Sequence, residues 1–359
     1  MIIMVYILAA YLEECGLNQY IANWFISRKI GEGRPWVFTL LIVAAAFFMS
    51  AFVSMYATII ILWMIFYKIC DQIGEPPRTK YTAMVISVIV FICGVTGAIF
   101  PFKAFAVLII GLTQQGIGQA LDINFVTWTI YNVIICVVMI ALFLLAYKFV
   151  LKPDLSRVKE AGAKNAHLRG QKMNRDQKVG ALCMVALALV KKENGEPYIN
   201  LTHLIAKGVN WELIILVSST MPICNALEAE ECGVLQSVIA WMTQTFSGFS
   251  GLTFLIVIAA IFLITTQVTH NLVLILVFTP VLTEMGLQFG VNPMVVMLVI
   301  FYTAMTAYAT PAASSNAALI FGNEKWVDRK DAYLTGFLIL LVAFIVVIGV
   351  AIPLGNVMF

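Results

Sequence analysis

Eight consecutive residues, Thr265-Thr266-Gln267-Val268-Thr269-His270-Asn271-Leu272, set hydroxyl, amide and imidazole groups between two apolar runs, Leu252 to Ile264 and Leu272 to Phe278. Oxygens at this density suit a small cation or the polar groups of a solute. They do not make an enzyme, because the chain has no nucleophile–base pair, metal-ligand spacing or phosphate loop. Crossing about 30 Å of hydrocarbon takes about 20 helical residues, more than either run supplies together with the polar island. Two half-helices meeting at a polar tip are therefore expected. The tip needs protein or a water-filled cavity around it, since lipid cannot satisfy its polar groups. A second tip of the same kind, Ser50-Ala51-Phe52-Val53-Ser54, lies between Trp36–Met49 and Ala57–Ile69. It reads as a re-entrant hairpin.

The elements that must position these tips follow from composition. With 62% hydrophobic and 11% charged residues over 359, the chain is expected to be an all-α polytopic membrane protein. Seven scattered cysteines form no CxxC and no Cys/His cluster, so neither a zinc site, a disulfide framework nor a cofactor is expected. The apolar start lacks the basic n-region of a cleavable signal. Ile2 to Leu12 is only half a span, which suggests that an upstream part is missing. Leu17 to Arg28 carries Leu17, Tyr20, Ile21, Trp24 and Phe25 at helical spacing, the pattern of a helix lying in the interface. Tyr81 to Leu112 is too long for one ordinary helix and is interrupted by Gly94, Gly97 and Pro101, which predicts a broken span. Asn292 to Phe321 repeats that design, broken at Ala309-Thr310-Pro311. Phe125–Leu151, Trp211–Leu227 and Ala332–Val357 read as whole crossings, and Val179–Val190 has no assigned place.

Positive charge sets the expected orientation. Arg28, Lys29 and Arg34 precede the first hairpin and Lys68, Arg78 and Lys80 follow it, so Arg34 and Lys80 are expected on the cytoplasmic side. The basic stretch from Lys152 to Lys178 reads as a solvated cytoplasmic loop, and without aromatic interleaving it gives no case for nucleic acid. The loop Gln114–Asn124 has no Lys or Arg, and none occurs between Gly208 and Glu324. Ser247, Asn292 and the C-terminus are therefore expected outside. Glu13-Glu14-Cys15-Gly16 recurs as Glu230-Glu231-Cys232-Gly233, and Trp24 as Trp241, each followed by hairpin and broken span. Opposite flanking charge makes these inverted-topology repeats, the architecture of secondary transporters with a site near the midplane. The expected organisation is a first repeat over 1–151, a basic linker over 152–210 and a second repeat over 211–359.

In this order of elements the chain resembles the divalent anion:sodium symporter family, as a shortened and divergent member. That family carries dicarboxylates, citrate or sulfate, with hairpins tipped by Ser-Asn-Thr and broken helices bearing a Thr-Pro turn. The resemblance implies substrate contacts at Ser54, His270, Asn271, Thr310 and Pro311. It implies a sodium site from Thr266, His270, Asn271 and the Ala309 carbonyl. Ser50 and Ser54 would belong to a degraded first sodium site, since Met55 and Tyr56 stand where Asn and Thr are expected. His270 replaces a serine and brings an imidazole, which titrates near physiological pH. It and Lys103 are candidates for coupling. Asn271 has an alternative reading as a helix–helix hydrogen bond, Ser50 and Ser54 as small packing residues, His270 as a neutral imidazole bonded to a carbonyl, and Lys103 as a snorkelling cation. The expected function is secondary active transport of a small anion, a dicarboxylate by resemblance, coupled to sodium and with protons as a further candidate. Partners are the anion and the bilayer of the cell membrane, with a homodimer left open. The alternatives are a non-transporting membrane remnant or assembly partner, and an uncoupled exporter or exchanger.

Overall fold

The computed structural model describes residues 15–52, 55–170, 172–182 and 250–359. The repeated tetrapeptides apart from Cys15 and Gly16, together with Trp241, Ser247, the span Trp211–Leu227 and Ser54, lie outside them. In chain order the helices are α1 (Leu17–Ile26), α2 (Pro35–Phe52), α3 (Met55–Ile73), α4 (Lys80–Val95), α5 (Ala104–Ile117), α6 (Phe125–Ala146), α7 (Ala161–Lys164) and α8 (Arg175–Leu182). Beyond the gap follow α9 (Gly251–Thr265), α10 (Asn271–Gln288), α11 (Pro293–Met305), α12 (Ser315–Gly322), α13 (Arg329–Val346) and α14 (Ile352–Met358). Among the described residues, six stretches are long and apolar enough to cross a membrane: α2, α3, α4 with its following turn, α6 with its π-helical end, α10, and α13 through α14. The protein is an all-α, multi-pass membrane protein.

The described residues divide into two compact units. One takes in those of Met1–Gly97, Tyr147–Asn210 and Lys325–Asp328, the other those of Ala98–Ala146, Trp211–Glu324 and Arg329–Phe359. These units cut across the order of the sequence: the break that ends α4 carries the chain from the first to the second.

In the first unit α2 and α4 run parallel, because Thr39 meets Tyr81 at 3.3 Å near their starts and Ser50 meets Thr96 at 2.8 Å near their ends. α3 runs against α4, since Trp63 donates to the Ile86 carbonyl at 3.2 Å while Phe66, further along, packs on Tyr81. α2 and α3 therefore form an antiparallel hairpin, with Arg34 and Lys80 at its open end. Its arms have 18 and 19 residues, longer than the runs read from sequence, and each is about 27 Å long at 1.5 Å per residue.

The second unit repeats this local plan. Gly251 lies against Phe289 and Val291, and the end of α9 reaches Ala309, so α9 is parallel to α11. α10 starts beside Ala304 and Ala313 and ends with Gly286 near Val296, so it is antiparallel to α11. α10 continues through Pro280 to Gln288, past the expected end at Phe278. Proline removes a helical donor, and at this point α5 comes close: a Cβ on Gly116 would overlap the Pro280 backbone. α5 itself runs to Ile117, into the expected loop, and stops where Gly118 adopts a left-handed φ of 65°. Asn292 and Phe359, both expected outside, lie at one end, Asn292 Nδ2 donating to the Phe359 carbonyl at 3.0 Å.

Many buried threonine hydroxyls fold back onto the preceding turn of their own helix. Thr39, Thr113, Thr283 and Thr303 each donate to the carbonyl four residues earlier at 2.7 to 3.0 Å.

The basic stretch differs from the solvated loop expected of it. Val158, Ala161 and Asn165 are buried, and a Cβ on Gly162 would overlap the backbone of Gly31 and Glu32. Its cations close helix ends: Lys164 Nζ donates to the Gln72 carbonyl at 2.6 Å and Arg157 to that of Gly74, at the C-terminus of α3, where positive charge is favoured. Positive charge thus marks a docked brace.

Within this region Glu75 is buried beside Thr79, whose hydroxyl donates to Oε1 at 2.9 Å. Burial pushes its carboxyl above the usual range; the Thr79 bond and Arg157 pull it down without cancelling that effect, and Asp154 adds to the rise. The native state then holds a proton more tightly than the unfolded chain. Stability from this group is present below the unfolded value of about 4.3 and is lost as pH rises through the folded value. Glu75→Gln should therefore melt higher than the parent near neutral pH, the advantage shrinking as pH falls toward about 4. A difference constant across that range in thermal unfolding would refute the assignment.

Candidate functional site

The second polar tip docks on the unwound segment between α11 and α12. Gln267 makes most of the junction. Its Oε1 accepts from the Ala309 backbone N–H at 2.9 Å, and its own carbonyl accepts from the Thr310 hydroxyl. Its Nε2 donates to the Leu263 carbonyl at 2.9 Å and to Thr266 Oγ at 3.1 Å. Thr266, fully buried, donates in turn to the Phe262 carbonyl at 2.7 Å, which leaves one lone pair unused.

Asn271 opens α10 and is 6% exposed. Its backbone N–H donates to the Ala313 carbonyl at 3.3 Å and its Nδ2 to the Ala304 carbonyl at 3.4 Å, while Oδ1 accepts from Leu272 N at 2.9 Å. The helix–helix hydrogen bond considered for Asn271 is thus present in geometry, and its carbonyl oxygen retains a lone pair for a further partner. His270 is half-buried and caps α10, with Nδ1 accepting from Leu272 N at 3.3 Å. Its bond is to a backbone N–H, shared with Asn271 Oδ1, where the neutral alternative had a carbonyl.

The unwound segment is held from its other sides. Ser314 caps α12 and donates to the Ala307 carbonyl at 2.7 Å. A Cβ on Gly336 of α13 would overlap the Tyr308 carbonyl, so the bare face of that glycine lets α13 lie directly on the break. Ala309 is buried, Thr310 half-buried and Pro311 exposed. Among the described residues no hydrogen-bond donor reaches the Ala309 carbonyl. A buried carbonyl in that state suits a cation.

The first tip has the same partner type in its own unit. Thr96 Oγ, in the turn that breaks the first span, lies 2.8 Å from both Ser50 Oγ and the Ile92 carbonyl, and Ser50 donates to the Phe47 carbonyl at 3.2 Å. Met55 begins α3. In the second unit, the continuation of that break is packed by aromatic rings: Phe100, Phe102 and Phe125 stack with centroids 5.2 to 6.3 Å apart. Trp128 Nε1 donates to the Ala98 carbonyl at 2.8 Å. Lys103 precedes α5, half-buried and within electrostatic reach of Cys136.

The second tip thus gathers Thr266, His270, Asn271, Ala309 and Thr310, while Ser50 lies in the other unit and Ser54 outside the described residues. Gln267 and Thr96 tie each tip to its break; from sequence Gln267 is placed in the polar island without a site role, and Thr96 is not named. Both are polar residues at the ends of apolar runs, and that was the available signal.

A polar tip bonded to a broken span occurs in each unit of this all-helical, multi-pass chain. A family described as citrate transporter matches residues 1–191, and one described as sodium:sulfate symporter transmembrane region matches residues 167–359, each more than half of the chain. The chain belongs to the divalent anion:sodium symporter family. It is 24% identical over 174 residues to the sodium-dependent dicarboxylate transporter of Staphylococcus saprophyticus, and 23% identical over 178 residues to that of Staphylococcus aureus strain USA300. Each alignment covers 48% of this chain and 33% of the relative, so the matched stretch spans about a third of those proteins' length.

Proposed function

We propose that this chain carries a small dianion, a dicarboxylate, across the cell membrane in symport with sodium. The docked second tip supports this reading most: Thr266, Asn271 and the Ala309 carbonyl bring acceptor oxygens together at the start of α10, whose N–H groups and partial positive charge suit an anion. Sodium dependence in the relatives' printed names supports the coupling ion. Uptake of a dianion against about 100 mV, inside negative, opposes about 4.6 kcal/mol, so co-transported cations are required. In this reading His270, Asn271, Thr310 and Pro311 contact the solute, and Ser54 is assigned to it by the resemblance alone. The first half, with Met55 in place of an amide and Ser50 already engaged with Thr96, contributes little to sodium binding, so fewer sodium ions move than is usual in the family. The inverted relation of the two sequence halves, with their linker at 152–210, belongs to the same proposal.

His270 supplies a pH dependence. Its Nδ1 shares the Leu272 N–H with Asn271 Oδ1, so the start of α10 stays capped without it, and the imidazole stands where this reading places the dianion. The experiment is uptake of labelled succinate, citrate and sulfate into proteoliposomes with an inward sodium or potassium gradient, for the parent and His270→Ser, between about pH 5.5 and 8. Sodium-driven succinate uptake with a shallow sodium dependence, flattened in pH by His270→Ser, is expected. Absence of uptake, or uptake indifferent to sodium, overturns the symport reading. A steep, multi-ion sodium dependence overturns the reduced stoichiometry, and identical pH profiles remove His270 from coupling.

A further inference from the structure

Away from the tips, the first unit holds a cleft of about 460 Å³ between α1 and the chain that follows the turn Ala166–Leu168. Tyr20, Trp24, Arg28 and Lys29 line one wall and Arg169 the other. Three cations meet there. Arg169 pairs with Glu32 and donates through Nε to the Ser27 carbonyl at 2.6 Å. The Arg28 guanidinium lies 3.3 Å from the centre of the Trp24 ring. Lys29 is exposed, and among the described residues no carboxylate lies within ion-pair distance of it.

A helix C-terminus could ask for these charges, but its needs are already met. The end of α1 is closed by Ser27 N on the Asn23 carbonyl at 3.0 Å, Arg28 N on that of Phe25 at 3.3 Å, and the Ser27 hydroxyl on that of Trp24 at 3.3 Å. The terminus carries about half a negative charge and Glu32 one more, so three cations leave the cleft positive by more than one unit. Around it, Trp24 is 46% and Ile30 59% exposed. An aromatic ring beside cations on an amphipathic helix is the arrangement found at the headgroup level of a bilayer. The volume lies in the range of small-molecule sites.

We propose that this cleft binds the phosphate of an anionic phospholipid headgroup, with Arg28 and Lys29 as its partners and Tyr20 and Trp24 at the boundary with the acyl chains. The cleft would then be a lipid site separate from the solute site, set between α1 and the docked basic brace. Nothing in it depends on transport.

The test is thermal unfolding of the purified full chain in a neutral detergent, titrated with phosphatidylglycerol, phosphatidylcholine or inorganic phosphate. Phosphatidylglycerol should raise the melting temperature and phosphatidylcholine should not. In Arg28→Gln/Lys29→Gln the half-saturating phosphatidylglycerol concentration should rise about 25-fold, about fivefold per cation. The lipid-free melting temperature should stay close to the parent's. Lys159→Gln/Lys172→Gln, which removes two exposed cations elsewhere on the basic stretch, should leave the titration unchanged. Should the double variant fail to fold, Lys29→Gln alone, on an exposed side chain, should still give about a fivefold rise. An unshifted titration in the cleft variants, an equal shift in the control, or equal protection by phosphatidylcholine overturns the proposal. Protection by inorganic phosphate that depends on Arg28 and Lys29, with none from phosphatidylglycerol, assigns the cleft to a soluble phosphate and overturns the lipid assignment.

Discussion

Gln267→Leu lowers sodium-driven uptake by about ten- to a hundredfold while leaving the helices formed. Leucine approximates the volume of glutamine but offers no acceptor to the Ala309 N–H and no donor to Thr266 or the Leu263 carbonyl. A buried donor left without a partner costs about 1–3 kcal/mol, which corresponds to factors of about 5 to 150. The whole loss falls on the contact between tip and break, because the other partners of Gln267 belong to its own helix. Circular dichroism should be unchanged and initial uptake rates should carry the effect. Uptake above half the parent's rate would show that this junction is no part of the transport site.

Gly336→Ala should lower the melting temperature by about 5 °C and reduce uptake with it. Alanine in place of a helical glycine gains about 1 kcal/mol from propensity. Against this, the new methyl meets the carbonyl of Tyr308 and the Cα of Ala309, backbone atoms that no rotamer change can withdraw. Overpacking of this kind costs about 1–3 kcal/mol, and with backbone as the neighbour the upper part of that range applies. A net loss of about 2 kcal/mol, at about 2–4 °C per kcal/mol, gives the expected shift. Gly349→Ala is the control, since no atom lies within 4 Å of a Cβ there; it should hold or raise stability. Equal behaviour of the two variants would mean that α13 does not rest on the break.

Much of this arrangement is legible in the sequence because polar residues inside apolar runs are costly and must be received somewhere. The tips at Ser50 and at Thr266 to Asn271, and the breaks near Gly97 and Thr310, follow from that cost and from backbone chemistry. Partner choice does not. Gln267 stands in the same polar island as Asn271, and only the packing of α9 on α11 shows which of them bridges to Ala309. The apolar run Leu272 to Phe278 falls short of the helix: α10 continues through Pro280, whose backbone packs against Gly116 of α5. The basic stretch was read by its charge alone, which says where cations are favourable but not that Gly162 lets this segment lie on Gly31 and Glu32.

The threonines that bond back onto their own helices bear on how the protein is made. A helix whose hydroxyls are already satisfied by its own carbonyls can partition singly into lipid without waiting for a neighbour. Thr39, Thr113, Thr283 and Thr303 therefore add little to the cost of insertion. Gln267 with Ala309, and Asn132 with Tyr302 at 2.5 Å, are different, since each needs a second helix to be complete. Biogenesis then separates into an early stage, in which self-sufficient segments enter the bilayer, and a later one, in which these few amide contacts form as the segments associate. The groups assigned to the solute site would be among the last to reach their final partners.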